Sequence, residues 1–213
     1  WVMVRSLQMG DPGEHFRRVL AGFPFQDMVK EIMSKFYVKG GIPKNTPFKG
    51  IPHVGFTPSN LFIALLICAN FAVVRLAKEG HDNPISINYL EKIALPHVHA
   101  LYGAIMGGVD IITMGAGIPL QIPQLITDIV AGNDCTYSIP VSGTNIRSSS
   151  INFSPEQFFG EIPKDLNKPK FLPIISSNLL ANLFLKKSPE GSVDGFVVEE
   201  PTAGGHNAPP RRV

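Results

Sequence analysis

Ile85-Ser86-Ile87-Asn88-Tyr89-Leu90 and Val109-Asp110-Ile111-Ile112-Thr113-Met114-Gly115-Ala116-Gly117 carry the pattern that points to the fold class. The first alternates and is rich in β-branched residues, the signature of a strand. A helical stretch from about Val98 to Met106 separates the two and ends at Gly107-Gly108. The second run is another strand, entering the turn Gly115-Ala116-Gly117 and a helix near Pro123 to Val130. The same order returns downstream. Phe171 to Ser176 reads as a third core strand, Asn178 to Lys187 as a helix, and Ser192 to Glu199 as a fourth strand centred on Gly195-Phe196-Val197-Val198. Near-continuous apolar strands alternating with helices predict an α/β fold with a parallel sheet covered on both faces. Right-handed crossovers leave a barrel or a doubly wound sheet, and periodicity alone does not choose between them.

Working outward, residues 1 to 40 read as helices, with Met28, Ile32, Met33, Phe36 and Tyr37 at helical spacing before Gly40-Gly41. Prolines 43, 47, 52 and 58 then break any regular element, so residues 40–58 read as a long ordered loop. Ser59 or Asn60 can cap a helix from Leu61 to Lys78. Its apolar run is shorter than the roughly 18 uninterrupted residues a membrane span needs, so it reads as a core helix and no membrane partner is expected. Cys135 to Val141 reads as an exposed strand, and the polar stretch from Ser142 to Lys170 as an insertion. The domain reading is one unit over 1–213, with insertion-like segments 1–58 and 135–170.

Composition narrows the function classes. The 213 residues are 44% hydrophobic and 17% charged, with a net charge of +2, too apolar and too weakly charged for a disordered chain. No Lys/Arg stripe with interleaved aromatics appears, which argues against nucleic acid as a partner. Two cysteines, Cys68 in an apolar run and Cys135 in a polar turn, make no disulfide framework and point to a cytoplasmic protein. His97 and His99 are two apart, which does not share a helix face, and no carboxylate or cysteine arrangement beside them resembles a zinc site. His53 and His81 sit in loops and read as surface residues.

The segment with most chemical content follows the fourth strand: Glu200-Pro201-Thr202-Ala203-Gly204-Gly205-His206-Asn207. Two glycines let backbone approach a ligand beside a titratable imidazole, although a glycine turn with an incidental histidine explains the pattern as well. Glu199 and Glu200 are adjacent and so point to opposite sides of an extended chain, which makes them a poor acid–base pair.

The line from Gly195 to Arg211 resembles the sixth-strand motif of the nitronate monooxygenase family, formerly called 2-nitropropane dioxygenases. The runs 85–90 and 109–117 resemble that family's third and fourth strands, and the likeness extends over nearly the whole chain. The resemblance implies an FMN-dependent TIM (β/α)8-type barrel in which His206 is the catalytic base. It further implies that Asn88 contacts the flavin, that Gly204 and Gly205 let backbone approach it, and that Ser176 stands at the mouth of the third strand. All four lie at predicted strand ends, the face on which such barrels build their sites. The implied substrates are a small nitronate or nitroalkane and O2. A nitroalkane is a carbon acid, and an imidazole of ordinary pKa near 6.5 suits its proton at neutral pH.

The family's Pro-x-x-Gln-Gly-x-Met segment has no counterpart in residues 1 to 40, and its phosphate-holding strands would follow Val213. The expected fold is therefore an incomplete barrel with about four core strands, against the eight of a closed one. Two rivals share these residues: an FMN-dependent enoyl reductase, which uses a similar Gly-Gly-His loop, and a non-catalytic barrel fragment.

Overall fold

A computed structural model of the protein describes residues 1–141, 148–200 and 202–203. Four helices open the chain: α1 (Val2–Gln8), α2 (His15–Leu20), α3 (Gln26–Phe36) and α4 (Asn60–Ala77). Two buried polar side chains shape this part. The Asp11 carboxylate accepts hydrogen bonds from the backbone N–H groups of Phe16 and Arg17 at 3.2 and 2.9 Å, satisfying two donors at the start of α2. Gln8 bonds the backbone of Lys49 in both directions, at 3.1 and 2.7 Å, and so ties the proline-rich loop to α1. Ser59 caps α4 as expected, accepting from the Phe62 N–H. The helix runs for 18 residues and, by length and composition, is long and apolar enough to cross a membrane, which corrects the expectation that it is too short. It packs as a core helix against α2, α3 and α5 (His97–Met106), with Ile67, Cys68 and Ala72 fully buried.

The sheet follows in chain order: β1 (Ser86–Leu90), α5, β2 (Ile111–Gly115), α6 (Ile122–Ala131), then β5 (Lys170–Ile175), α8 (Asn178–Lys187) and β6 (Val197–Val198). All pairings are parallel, in the spatial order β1-β2-β5-β6. Each strand therefore lies beside the next one in this series, as successive crossover units require. β6 is shorter than expected. Asp194 uses both its N–H and its carboxylate on Phe171, and only Val197 and Val198 enter the ladder.

Burial alternates along these strands. Ile112, Met114, Phe171, Pro173 and Ile175 are buried, whereas Asn88, Ile111, Thr113, Leu172 and Ile174 between them stay exposed or half-exposed. The first set faces the helices and the second faces away. Among the described residues the sheet is thus covered on one side, which corrects the expectation of two covered faces. Apolar Ile111, Leu172 and Ile174 on the second side make the strands read as continuous runs even where that side is open.

Residues 135–141 and 148–159 add a pair of strands and a short helix to the same core. β3 (Cys135–Pro140) and β4 (Ser148–Phe153) make an antiparallel hairpin, followed by α7 (Pro155–Phe159). The hairpin is not exposed throughout: Cys135, Tyr137, Ile151 and Phe153 are buried, so Cys135 belongs to the core and not to a polar turn. Its aromatics pack edge-on to α5, Tyr137 to His97 with centroids 5.5 Å apart and Phe153 to His99 at 5.1 Å. Phe159 stacks on Phe25 at 4.3 Å, which ties the hairpin unit to the entry of α3.

Candidate functional site

Asn88 stands in the middle of β1, two residues short of its end, and not at the end itself. It lies on the open side of the sheet, in register with Thr113 of β2, which is in turn in register with Leu172 of β5. The Thr113 hydroxyl donates to the Asn88 side-chain oxygen at 3.0 Å. A row of exposed Asn88 and half-buried Thr113 and Leu172 therefore crosses three strands, with one hydrogen-bonded amide at its edge.

Ser176 directly follows β5 and is half-buried. The register places it four residues beyond Leu172 and two strands from Asn88, on the order of 15 Å away at ordinary strand spacings. The structure places Ser176 just past the C-terminal end of β5 and Asn88 at the middle of β1, and does not bring them together. His206, Gly204 and Gly205, the expected base and its flanking glycines, lie outside the described residues. Glu199 follows β6 and donates its N–H to Ile175, and neither it nor Glu200 belongs to the strand.

One residue at this end escaped the sequence reading. Glu91 follows β1 and bonds the Gly115 carbonyl through its N–H at 2.8 Å, while its own carbonyl meets Nε2 of buried His97 at 3.0 Å. Its carboxylate presses against Gly117, where any side chain would collide with it. No cation pairs with it among the described residues, and burial raises its pKa from the ordinary carboxyl value. The intervening Ala116 holds a left-handed φ of +56°, so the glycine-flanked turn is bent by its packing against β1. A lone acidic residue in a chain carries no recognisable spacing, which is why Glu91 has no sequence signal.

The opposite, N-terminal end of the sheet is stitched by carboxylates. Asp110 accepts from Lys78 Nζ at 2.6 Å and from the Ile85 N–H at 2.8 Å, and these bonds hold its pKa below the ordinary value. Asp194 accepts from the Phe171 N–H at 2.8 Å. Each aspartate follows a valine and precedes a strand, so Val109-Asp110 and Val193-Asp194 do the same work at two places.

The remaining titratable groups are placed by packing. His97 and His99 are both buried on α5, and burial takes the His99 imidazole down to about 4. Neither belongs to a metal cluster, since no group of three or more His, Cys, Asp or Glu side chains suited to a metal occurs among the described residues. Cys68 and Cys135 are free and buried, with thiols pushed up to about 12, far from a reactive thiolate. His53 and His81 are exposed, as expected. A cavity of about 410 Å³ lies at the other end of α5, bordered by Phe25, Arg75, Met106 and Lys164, away from the Asn88 row.

The fold and this row define the chain as an α/β protein whose four-stranded parallel sheet is flanked by helices and offers a half-exposed polar row. No protein-family model, curated protein or solved structure matches it.

Proposed function

We propose that the chain is an FMN-dependent oxidoreductase of the nitronate monooxygenase kind, oxidising nitronates or nitroalkanes with O2, and that its sheet is part of a TIM-type barrel whose inner side is the open one. The motif line ending in Gly204-Gly205-His206 supports the chemistry. The observation that carries the reading onto the structure is the sequential parallel order β1-β2-β5-β6, with Asn88 on its open side. A barrel needs such an order, with ligands at the C-terminal ends of its strands.

The residues at hand fit the ring of a flavin. A planar ring lying against the open side would meet half-exposed Leu172 and Ile174 as an apolar bed and the anchored Asn88 amide at a polar edge. Asn88 would hold the ring, and Gly204 and Gly205 would let backbone approach it. Bound FMN supplies the electron acceptor between an organic anion and oxygen. The protein's own part is to bind and orient the substrate, with the His206 imidazole holding the proton taken from the nitroalkane carbon. A cytoplasmic location belongs to the same reading and rests on the two unpaired, buried cysteines.

The test is oxygen uptake by the FMN-loaded chain with a simple alkyl nitroalkane or nitronate. His206→Asn should retain flavin and lose turnover from the nitroalkane by roughly 100-fold or more. Unchanged turnover overturns the role of His206. Reduction of an enoyl thioester by NADPH without nitronate oxidation would assign the site to the reductase class, and a folded chain that takes up no FMN would assign it to non-catalytic fragments.

A further inference from the structure

The hydrogen bond between Thr113 and Asn88 fixes more than a contact. A threonine hydroxyl has one proton to give. Two acceptors face it: the Asn88 side-chain oxygen at 3.0 Å and the Ile87 carbonyl at 3.5 Å, and the shorter bond takes the proton. The carbonyl half of the Asn88 amide is thereby held across the strand pair. Its NH2 half is left toward the open side, and no described acceptor engages it. Thr113 sits directly opposite Asn88 in the ladder, so the bond requires only the parallel register and no loop.

We infer that Thr113 is the positioning residue that turns Asn88 into a donor, so that this row selects a ligand edge made of hydrogen-bond acceptors, such as the carbonyl oxygens and unprotonated ring nitrogens of a flavin. The inference rests on the flavin reading above and adds a specificity to it. A ring presenting N–H donors at that edge would meet another donor and be rejected. Removing the hydroxyl frees the amide to rotate, and the donor is then presented only part of the time.

The experiment is titration of FMN, followed by quenching of its fluorescence and by the position of its visible absorption bands, with thermal unfolding measured in parallel. Thr113→Val, which keeps the branched shape, should weaken FMN about five- to tenfold and shift the bands, the worth of one ordered hydrogen bond. Thr113→Ser should restore affinity to within about twofold of the original, since it returns the hydroxyl. Asn88→Asp keeps the oxygen that Thr113 holds but replaces the presented NH2 with a second oxygen, and should weaken FMN at least as much as Thr113→Val.

Unaltered affinity and spectrum in Thr113→Val overturn the inference, as does a Thr113→Ser variant as weak as the valine. Tight binding by Asn88→Asp overturns it independently, whatever the valine variant does. If the unsubstituted chain fails to bind FMN, the flavin reading itself fails, and the inference falls with it. Binding that is indifferent to residue 113 removes the inference alone.

Discussion

The two sides of the parallel sheet are made from alternate residues of the same strands, yet they differ in burial and polarity. On the helix side, Ile112, Met114 and Phe171 are within 1% of complete burial and belong to the hydrophobic core. On the open side their immediate neighbours Ile111, Thr113 and Leu172 remain half-exposed, and polar Asn88 and Thr113 bond each other. Adjacent positions thus separate the core from an accessible surface, because successive side chains of a strand point to opposite sides. A substitution on one side should disturb folding, and the residue next to it should disturb only what binds.

Ile112→Ala against Thr113→Val breaks or sharpens this contrast most strongly. The first removes a fully buried side chain and should cost about 3 kcal/mol in a denaturant titration. The second changes a half-exposed side chain and should stay within about 0.5 kcal/mol. Equal losses would mean that the open side is also core.

A second effect concerns the helix layer. Burial lowers the His99 pKa from 6.5 to about 4, and neither ring nitrogen has a hydrogen-bond partner among the described residues. The unfolded chain takes up this proton as pH falls below 6.5 while the fold resists it, so stability is lost progressively between pH 6.5 and about 4. Its ring packs edge-on against Phe153 of β4, with centroids 5.1 Å apart. His97 adds a loss of the same sign, because burial lowers its pKa too. His99→Leu should flatten the thermal-unfolding profile across this window by roughly 2 kcal/mol. A profile unchanged by the substitution would remove His99 from the account.

The smallest of these effects lies at the N-terminal end. Asp110 is held below the ordinary carboxyl pKa by Lys78 and by the Ile85 N–H, so its contribution is present above that value and lost as pH falls through the lowered one. Its side chain is partly exposed and solvent screens the pair, so Asp110→Ala should cost about 1 kcal/mol at neutral pH and less in acid, once the carboxyl is protonated. FMN affinity should not change. Loss of flavin in this variant would place ligand contacts at the wrong end of the sheet.

Much of this architecture was legible in the chain. β1, β2 and β5 follow from alternation and β-branched content, and α4 from its apolar run and the Ser59 cap. The missed parts are decided by partners distant in sequence. β4 begins Ser148-Ser149-Ser150, which carries no apolar period, and becomes a strand because Ile151 and Phe153 join the buried side of β3. β6 shrinks because Asp194 satisfies Phe171 before the ladder begins. At the candidate site, Asn88 is singled out by the motif resemblance, whereas Thr113 meets it through cross-strand register and Glu91 is placed by packing on Gly117. Neither leaves a linear pattern. The mistaken expectation of two covered sides came from counting apolar residues along a strand without asking on which side each falls.

Leu172 shares the row of Asn88 and Thr113 and is the sharpest probe of the ligand face proposed on the open side of the sheet. FMN fluorescence should be titrated against the chain and against Leu172→Trp, whose indole would occupy the space in front of that row. Saturable quenching by the chain and at least tenfold weaker binding by the variant are expected, with thermal unfolding of both measured alongside. Equal FMN affinity in the two proteins would contradict the proposed ligand face.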